Sequence, residues 1–337
     1  MGAGEHTELT GDGDGRDESA ARGADDAAGA AADGESGAAA DGDGGTAGGP
    51  AEAAARAGGE FGRELEVAVD LARTAGAAAL KFYGGPLRIE HKTPNDDPVT
   101  QADHAANDVI LAGLKREFPG DGILSEETAD TARRLGRERV WVIDPIDGTN
   151  GFIDGNGDFA VQIGLAVGGE AVVGVVYLPA ADVLYWGAPR AGGAWVTRPD
   201  AAPARLRVSD ETRAPHMRLA ASRSHRSPRM DAVMRAFGFR EEVRRGSVGV
   251  KVGLICERQC DLYIHLSSRT KQWDTCAPEA ILRGAGGQLT DLWGQPYRYN
   301  TDNIENRNGV VATNGAAQTF VIDTLAPLLA EFGRTRV

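Results

Sequence analysis

Cysteine is scarce in this 337-residue chain. Three residues (Cys256, Cys260, Cys276) cannot all pair, which argues against a disulfide framework and for a reducing compartment. Cys256 and Cys260 would share a helix face, and two small core residues are a better reading of them than half a zinc site. No apolar run reaches the roughly 18 residues of a membrane span, and the first residues lack the basic start and apolar core of a signal peptide. No membrane association and a cytoplasmic location are therefore expected. Basic residues are scattered, so no nucleic-acid polymer is expected as partner. The first 60 residues lack almost everything a core needs, with one Leu (Leu9) and no aromatic side chain. They carry 14 acidic against 3 basic side chains, a net −11 of the chain's −13, which leaves −2 for the rest. Residues 1–60 are expected to be a disordered acidic Gly/Ala-rich tail, with at most a marginal helix over 51–57.

From residue 61 onward the chain has the periodicities of a folded protein. Apolar residues from Leu65 to Phe82 fall at helical spacing, and Gly84-Gly85-Pro86 stops the helix. A loop rich in Pro and Asx (Lys92 to Thr100) leads to Thr100, an N-cap for a helix ending near Phe118. Runs at 159–167, 171–178, 183–186 and 194–196 read as a meander of antiparallel strands. After Leu219, strand and helix alternate: strands at 219–221, 261–265, 288–291 and 310–313, and helices at 231–237, from Gly246 toward Cys256, at 275–283 and at 317–332. The plan is an antiparallel α+β half (61–200) followed by an α/β half (201–337).

One stretch stands out chemically: Trp141-Val142-Ile143-Asp144-Pro145-Ile146-Asp147-Gly148-Thr149. The apolar run reads as a buried strand whose ladder Pro145 should end, leaving both aspartates in the following turn. Gly148 lets the backbone approach an anion, and the N–H groups of Gly148 and Thr149 can face phosphate oxygens. Alone, such a stretch is equally an Asp-rich turn. Three further acidic groups also stand at element ends: Asp103, Glu126-Glu127 and Asp274. Oxygen-only ligands without a His–Cys set suit Mg²⁺ better than zinc.

Glu126-Glu127-Thr128, the run Asp144 to Thr149 and Trp273-Asp274, in this order, resemble the Mg²⁺-dependent, lithium-sensitive phosphatase superfamily of inositol monophosphatases, fructose-1,6-bisphosphatases and bisphosphate nucleotidases. Gly151-Phe152, Ser222-Arg223-Ser224-His225 and Trp273 to Glu279 are more similar to the 3′(2′),5′-bisphosphate nucleotidase branch. The resemblance implies a layered αβαβα sandwich, two or three Mg²⁺ ions, and removal of the 3′-phosphate from adenosine 3′,5′-bisphosphate, a by-product of sulfur metabolism. It implies that Glu126, Asp144 and the Ile146 carbonyl hold one metal. Asp144, Asp147 and Asp274 hold a second, and Asp103 and Glu126 serve a weaker third. Thr149, paired with Asp103 or Glu126, would orient the attacking water, and Gly148 and Thr149 would bind the phosphate. His225, Lys251 and Ser247 would lie near the nucleotide, with Asp274 beside the substrate. His265 stands where many members carry an arginine for the second phosphate, and an imidazole cannot make its bidentate contact; Arg269 or Lys271 could supply that charge.

Inositol 1-phosphate and fructose 1,6-bisphosphate are the alternative substrates within the superfamily. A covalent aspartyl-phosphatase mechanism is disfavoured, because it needs its two aspartates two apart and here they are three apart. An inactive metal-binding interaction protein is the reading outside enzymes.

Overall fold

The computed structural model describes residues 49–91, 98–223 and 227–337, all within one folded unit, Thr46–Val337. A separate unit, Met1–Gly45, lies outside the described residues. In chain order the elements begin with α1 (Pro50–Ala57), α2 (Gly62–Leu80), β1 (Ile89–His91), β2 (Pro98–Thr100), α3 (Gln101–Glu117) and β3 (Gly122–Ser125). Then come β4 (Arg139–Asp147), α4 (Thr149–Ile153), β5 (Ala160–Val167), β6 (Glu170–Leu178), β7 (Val183–Ala188), β8 (Gly193–Thr197) and β9 (Ala204–Arg205). The second half holds β10 (Arg218–Ser222), α5 (Pro228–Phe237), β11 (Glu241–Arg245), α6 (Val248–Cys256), β12 (Leu262–His265), α7 (Gln272–Gly284), β13 (Gln288–Thr290), β14 (Val310–Thr313) and α8 (Gln318–Glu331).

Five layers result. A seven-stranded sheet runs β3 to β9 in sequence order, antiparallel except for the β3–β4 pair. A five-stranded sheet has the order β11-β10-β12-β14-β13, with β10 parallel to both its neighbours. Helices α2 and α3 cover the outer face of the larger sheet, and α6 and α7 fill the space between the sheets. On the far face of the smaller sheet, α5 and α8 close a third cluster around Leu219, Phe237 and Leu325. This is the αβαβα sandwich.

The middle layer fits because the larger sheet is smooth beneath α7. A Cβ on Gly174 would lie 2.2 Å from the Ala277 carbonyl oxygen, so only glycine lets the helix backbone settle that close. That contact sets the height of α7, and with it the height of Asp274 in its first turn.

Three expectations need correction. The last residues of the supposed tail are structured: α1 buries Ala54, and a Cβ on Gly62 of α2 would meet the Ala55 carbonyl at 2.3 Å. A short Ala-rich helix is marginal in isolation, but here α2 supplies the surface it lacks. Pro145 does not end its ladder either. Asp144 pairs with Gln162 and Asp147 with Ala160, so three steps on β4 oppose two on β5 and the proline sits in a bulge. The strand resumes at Asp147, and both aspartates belong to it. The first half is also not purely antiparallel, since β3 runs parallel to β4.

Candidate active site

The bulge brings the Asp144 and Asp147 carboxylates together. Carboxylate oxygens of Asp144, Asp147 and Asp274 all lie within 4.8 Å of one another, and both β4 aspartates are buried. Glu126, which follows β3, lines the same cavity of about 210 Å³, together with Ile146, Gly148, Thr149, Lys251 and His265. Asp103 does not line it but reaches it indirectly.

Each of the four aspartates is held by backbone or hydroxyl donors. Asp103 forms a reciprocal capping box at the start of α3: its Oδ2 accepts from the Thr100 N–H (2.8 Å) and hydroxyl (2.7 Å). Its Oδ1 lies 3.3 Å from the Thr149 hydroxyl, which also stands 3.2 Å from the Ile146 carbonyl oxygen. Asp144 Oδ1 accepts from the Ile146 N–H at 3.0 Å. Asp274 Oδ2 accepts from the Lys271 N–H at 2.6 Å, in the first turn of α7. Asp147 Oδ2 accepts three bonds, from the Ser247 hydroxyl (2.6 Å) and the Val248 and Gly249 N–H groups (2.6 and 3.0 Å). Those two N–H groups open α6, so the positive end of that helix faces the carboxylate.

Gly148 adopts φ +95°, a conformation that disfavours any residue with a side chain. A Cβ there would also lie 2.6 Å from the Asp158 carbonyl oxygen. The turn therefore packs tightly between β5 and α6 while carrying Thr149 into the first turn of α4.

Electrostatically the site is deficient in positive charge. Burial raises the Asp147 carboxyl, opposed chiefly by Lys251 and by the donors of Ser247, Gly249 and Val248. Asp274 is raised well above its ordinary value by burial, then by the charges of Asp147 and Glu126. Lys251 is pushed down to about 8 by burial, against the pull of Asp147, Asp274 and Asp158. Its ammonium bonds the Ser247 and Gly246 carbonyls (2.5 and 3.1 Å) and lies 4.9 Å over the Tyr263 ring. A cluster of buried and half-buried carboxylates that repel one another, with oxygen donors alone, fits a hard divalent cation.

Ser247 is buried, with φ +49°; its hydroxyl donates to Asp147 and accepts from the Val250 N–H at 3.2 Å. His265 is half-buried on the cavity wall, with Nε2 2.7 Å from the Ser267 hydroxyl. His225 lies outside the described residues, as do Lys92 to Asp97 of the loop before α3. Sequence reasoning missed Asp158, whose Oδ2 accepts from the Gly246 N–H (3.0 Å) and pairs with Arg223 (2.6 Å). A single Asp between Gly157 and Phe159 carries no signal of that role. Tyr263 and Thr270 of the cavity wall were equally unmarked.

Comparison with known proteins places this geometry. Residues 63–328 match the inositol monophosphatase family. The chain is 36% identical over 237 residues to the 3′(2′),5′-bisphosphate nucleotidase CysQ of Salmonella typhimurium, covering 70% of this chain and 93% of that one. It is 33% identical over 268 residues to a histidinol-phosphatase of Mycobacterium tuberculosis, covering 78% and 97%. The solved structure of CysQ from Bacteroides thetaiotaomicron, described as a bacterial member of the inositol monophosphatase family, superposes with a TM-score of 0.62 at 30% identity, over 74% of this chain and 96% of that one. The buried carboxylate cluster thus sits in a fold and a sequence shared along nearly the whole length of these phosphatases, and the chain belongs to the inositol monophosphatase family.

Proposed function

We propose that this protein is a Mg²⁺-dependent phosphomonoesterase that removes the 3′-phosphate from adenosine 3′,5′-bisphosphate. The observation that carries the reading is the carboxylate trio on the bulge and α7, set beside Gly148 and Thr149 in one cavity. The CysQ relatives supply the substrate class. Glu126, Asp144 and the Ile146 carbonyl would hold one Mg²⁺, and Asp144, Asp147 and Asp274 a second; Asp103 and Glu126 would serve a third. Bound there, Mg²⁺ would supply charge neutralisation at the phosphate, a lowered pKa for water and stabilisation of the departing ribose oxygen.

The chain's own groups do the rest. Gly148 and Thr149 receive the phosphate at the turn between β4 and α4. The Thr149 hydroxyl, placed between Asp103 Oδ1 and the Ile146 carbonyl, accepts a hydrogen bond from the attacking water and relays its proton toward Asp103. Asp103 is held for that role by its two bonds from Thr100. No covalent phosphoenzyme is required. Ser247 acts through Asp147, and Lys251 fastens the Gly246-Ser247 turn while offsetting the site's negative charge. Three unpaired, buried cysteines suit a reducing compartment, and we place the enzyme in the cytoplasm.

Phosphate release tests the reading. Adenosine 3′,5′-bisphosphate, inositol 1-phosphate, fructose 1,6-bisphosphate and histidinol phosphate would be compared with Mg²⁺, with and without Li⁺. The nucleotide should give the highest kcat/KM, with inhibition by Li⁺. A preference of about tenfold or more for any of the others, a gap of about 1.4 kcal/mol in transition-state binding, refutes the substrate assignment.

A further inference from the structure

We propose that Gln162 is a positioning residue for the divalent cation: its buried side-chain amide donates to the Asp144 carboxylate and accepts from water carried with the metal. The inference rests on the metal reading above and goes beyond it, since Gln162 neither lines the cavity nor belongs to the carboxylate cluster.

Gln162 is the one polar side chain of strand β5, whose sequence is otherwise Ala, Val, Ile, Leu and Gly. It is 0% exposed. Among the described residues, neither its Nε2 nor its Oε1 has a hydrogen-bond partner. Arg73 Nε is the other buried side-chain atom in that state, and Arg73 is bonded to Asp182 through Nη1. Among the described residues, Gln162 therefore stands alone in having its whole polar group buried and unpaired. Such a group lowers stability, and an apolar side chain of the same length would remove that cost. An amide in this position marks a partner that is not part of the chain.

The strand register identifies the partner. Gln162 stands opposite Asp144 of β4, so both side chains leave the same face of the sheet. Cβ atoms of such a pair lie about 4.5–5.5 Å apart. That face is the one toward α6 and α7. A Cβ on Gly249, in the first turn of α6, would lie 2.8 Å from Gln162 Oε1, and a Cβ on Gly164 of β5 would lie 2.8 Å from Cys276 Sγ of α7. The amide is thus enclosed beside Asp144 and beside the helix start whose Gly249 N–H holds Asp147. A Cβ on Gly249 would also lie 2.7 Å from Val176 Cγ1, so that side has no room for a trapped water.

A cation at Asp144 answers both atoms of the amide. Mg²⁺ keeps several of its waters when carboxylates bind it, so Oε1 can accept from one of them while Nε2 donates to Asp144. The last torsion of glutamine is broad, and turning the amide needs no backbone movement. A ligating carboxylate held in this way keeps its oxygens oriented toward the metal.

The test is calorimetric titration of the full chain with Mg²⁺ alone, for wild type, Gln162→Met and Gln162→Ala, beside melting temperatures in chelator. Met keeps the unbranched length without the amide, and Ala removes the amide without adding volume. Both variants should bind Mg²⁺ about 10- to 100-fold more weakly than wild type. Metal-free Gln162→Met should melt about 2–6 °C above wild type, because the unpaired amide is gone. At saturating Mg²⁺ the KM for adenosine 3′,5′-bisphosphate should be unchanged. A loss of Mg²⁺ affinity smaller than about tenfold in either variant overturns the inference and leaves the proposed function standing. So does a metal-free Gln162→Met that melts at or below wild type, because the amide would then be served without the cation. If wild type itself binds no Mg²⁺, the metal reading and the inference fall together.

Discussion

Replacing Asp147 by Asn separates metal binding from folding more cleanly than any other change in the site. Asp147 Oδ2 accepts from Ser247, Val248 and Gly249, and a carboxamide oxygen can accept the same three bonds. In the flipped rotamer an NH₂ group would face three donors, at a cost of several unmade hydrogen bonds. The amide oxygen is therefore locked toward α6, and the NH₂ group is turned toward Asp144 and Asp274, where a ligand oxygen is needed.

Two stability terms then oppose each other in metal-free protein. Asp274 loses the charge that, after burial, most raises its carboxyl, while Lys251 loses its strongest carboxylate partner. The metal-free variant should melt within about 3 °C of wild type, which is on the order of 1 kcal/mol for a domain of this size. Mg²⁺ at about 100 times its Kd should stabilise wild type by about 2.7 kcal/mol, and this shift should vanish in the variant. Turnover should drop by at least about 10³-fold, or ~4 kcal/mol in the barrier. Calorimetry with and without Mg²⁺, beside phosphate release, reads both quantities. A variant that keeps the Mg²⁺ shift and turns over within tenfold of wild type refutes the ligand assignment.

Three further outcomes follow from the same geometry. Deleting residues 1–48 should leave kcat/KM unchanged, whereas deleting 1–60 removes α1 and should lower the melting temperature; equal behaviour of the two truncations would contradict the packing of α1 on α2. Gly174→Ala drives a Cβ to 2.2 Å from the Ala277 carbonyl, so it should cost about 1–3 kcal/mol in urea unfolding and also reduce kcat by lifting Asp274. Wild-type stability with normal kcat would mean that α7 can move without disturbing the site. Glu279, 4% exposed and bonded by the Tyr299 hydroxyl at 2.6 Å, is raised from 4.5 to about 7, mainly by burial. Its folded pKa exceeds the unfolded one, so its contribution is complete below about 4.5 and is lost as pH rises through about 7, up to ~3 kcal/mol. Stability of Glu279→Gln relative to wild type should therefore increase by about that amount between pH 5 and 8; a difference constant with pH would exclude the titration.

Much of the site was legible because its residues announce themselves locally. Thr100 and Asp103 have the spacing of a capping box, Asp144 and Asp147 end an apolar run, and Asp274 opens an amphipathic helix. What was not legible depends on partners far along the chain. The bulge at Pro145 arises from pairing with β5, and proline's missing donor suggested a strand end because the unpaired step could not be seen. Ser247 read as a substrate contact, since nothing local reveals that a carboxylate 100 residues earlier takes its hydroxyl. Strand β11, Glu241–Arg245, carries mostly charged residues at a sheet edge and lacks the alternation that marks a half-buried strand. Helix α1 read as tail because its sequence alone cannot sustain a helix, and its support comes from α2.

Placing acidic groups where helices begin has a physical consequence that joins the fold to the chemistry. Asp103 and Asp274 sit in the first turns of α3 and α7, and Asp147 faces the first N–H groups of α6. Each helix start favours a nearby negative charge by about 0.3–1 kcal/mol, and up to ~2 kcal/mol when partly buried. Such contributions keep the carboxylates oriented, but they do not offset burial and mutual repulsion, since Asp147 and Asp274 both remain raised. Lys251 cannot close the gap, because its own burial pulls it down to about 8. The helices therefore supply geometry, and the missing positive charge must come from outside the chain. A site fully neutralised by arginines would be more stable when empty and would hold a divalent cation poorly. On the proposed reading the charge deficit would give a divalent cation its affinity, while the three helix starts hold the carboxylates in the geometry that receives it.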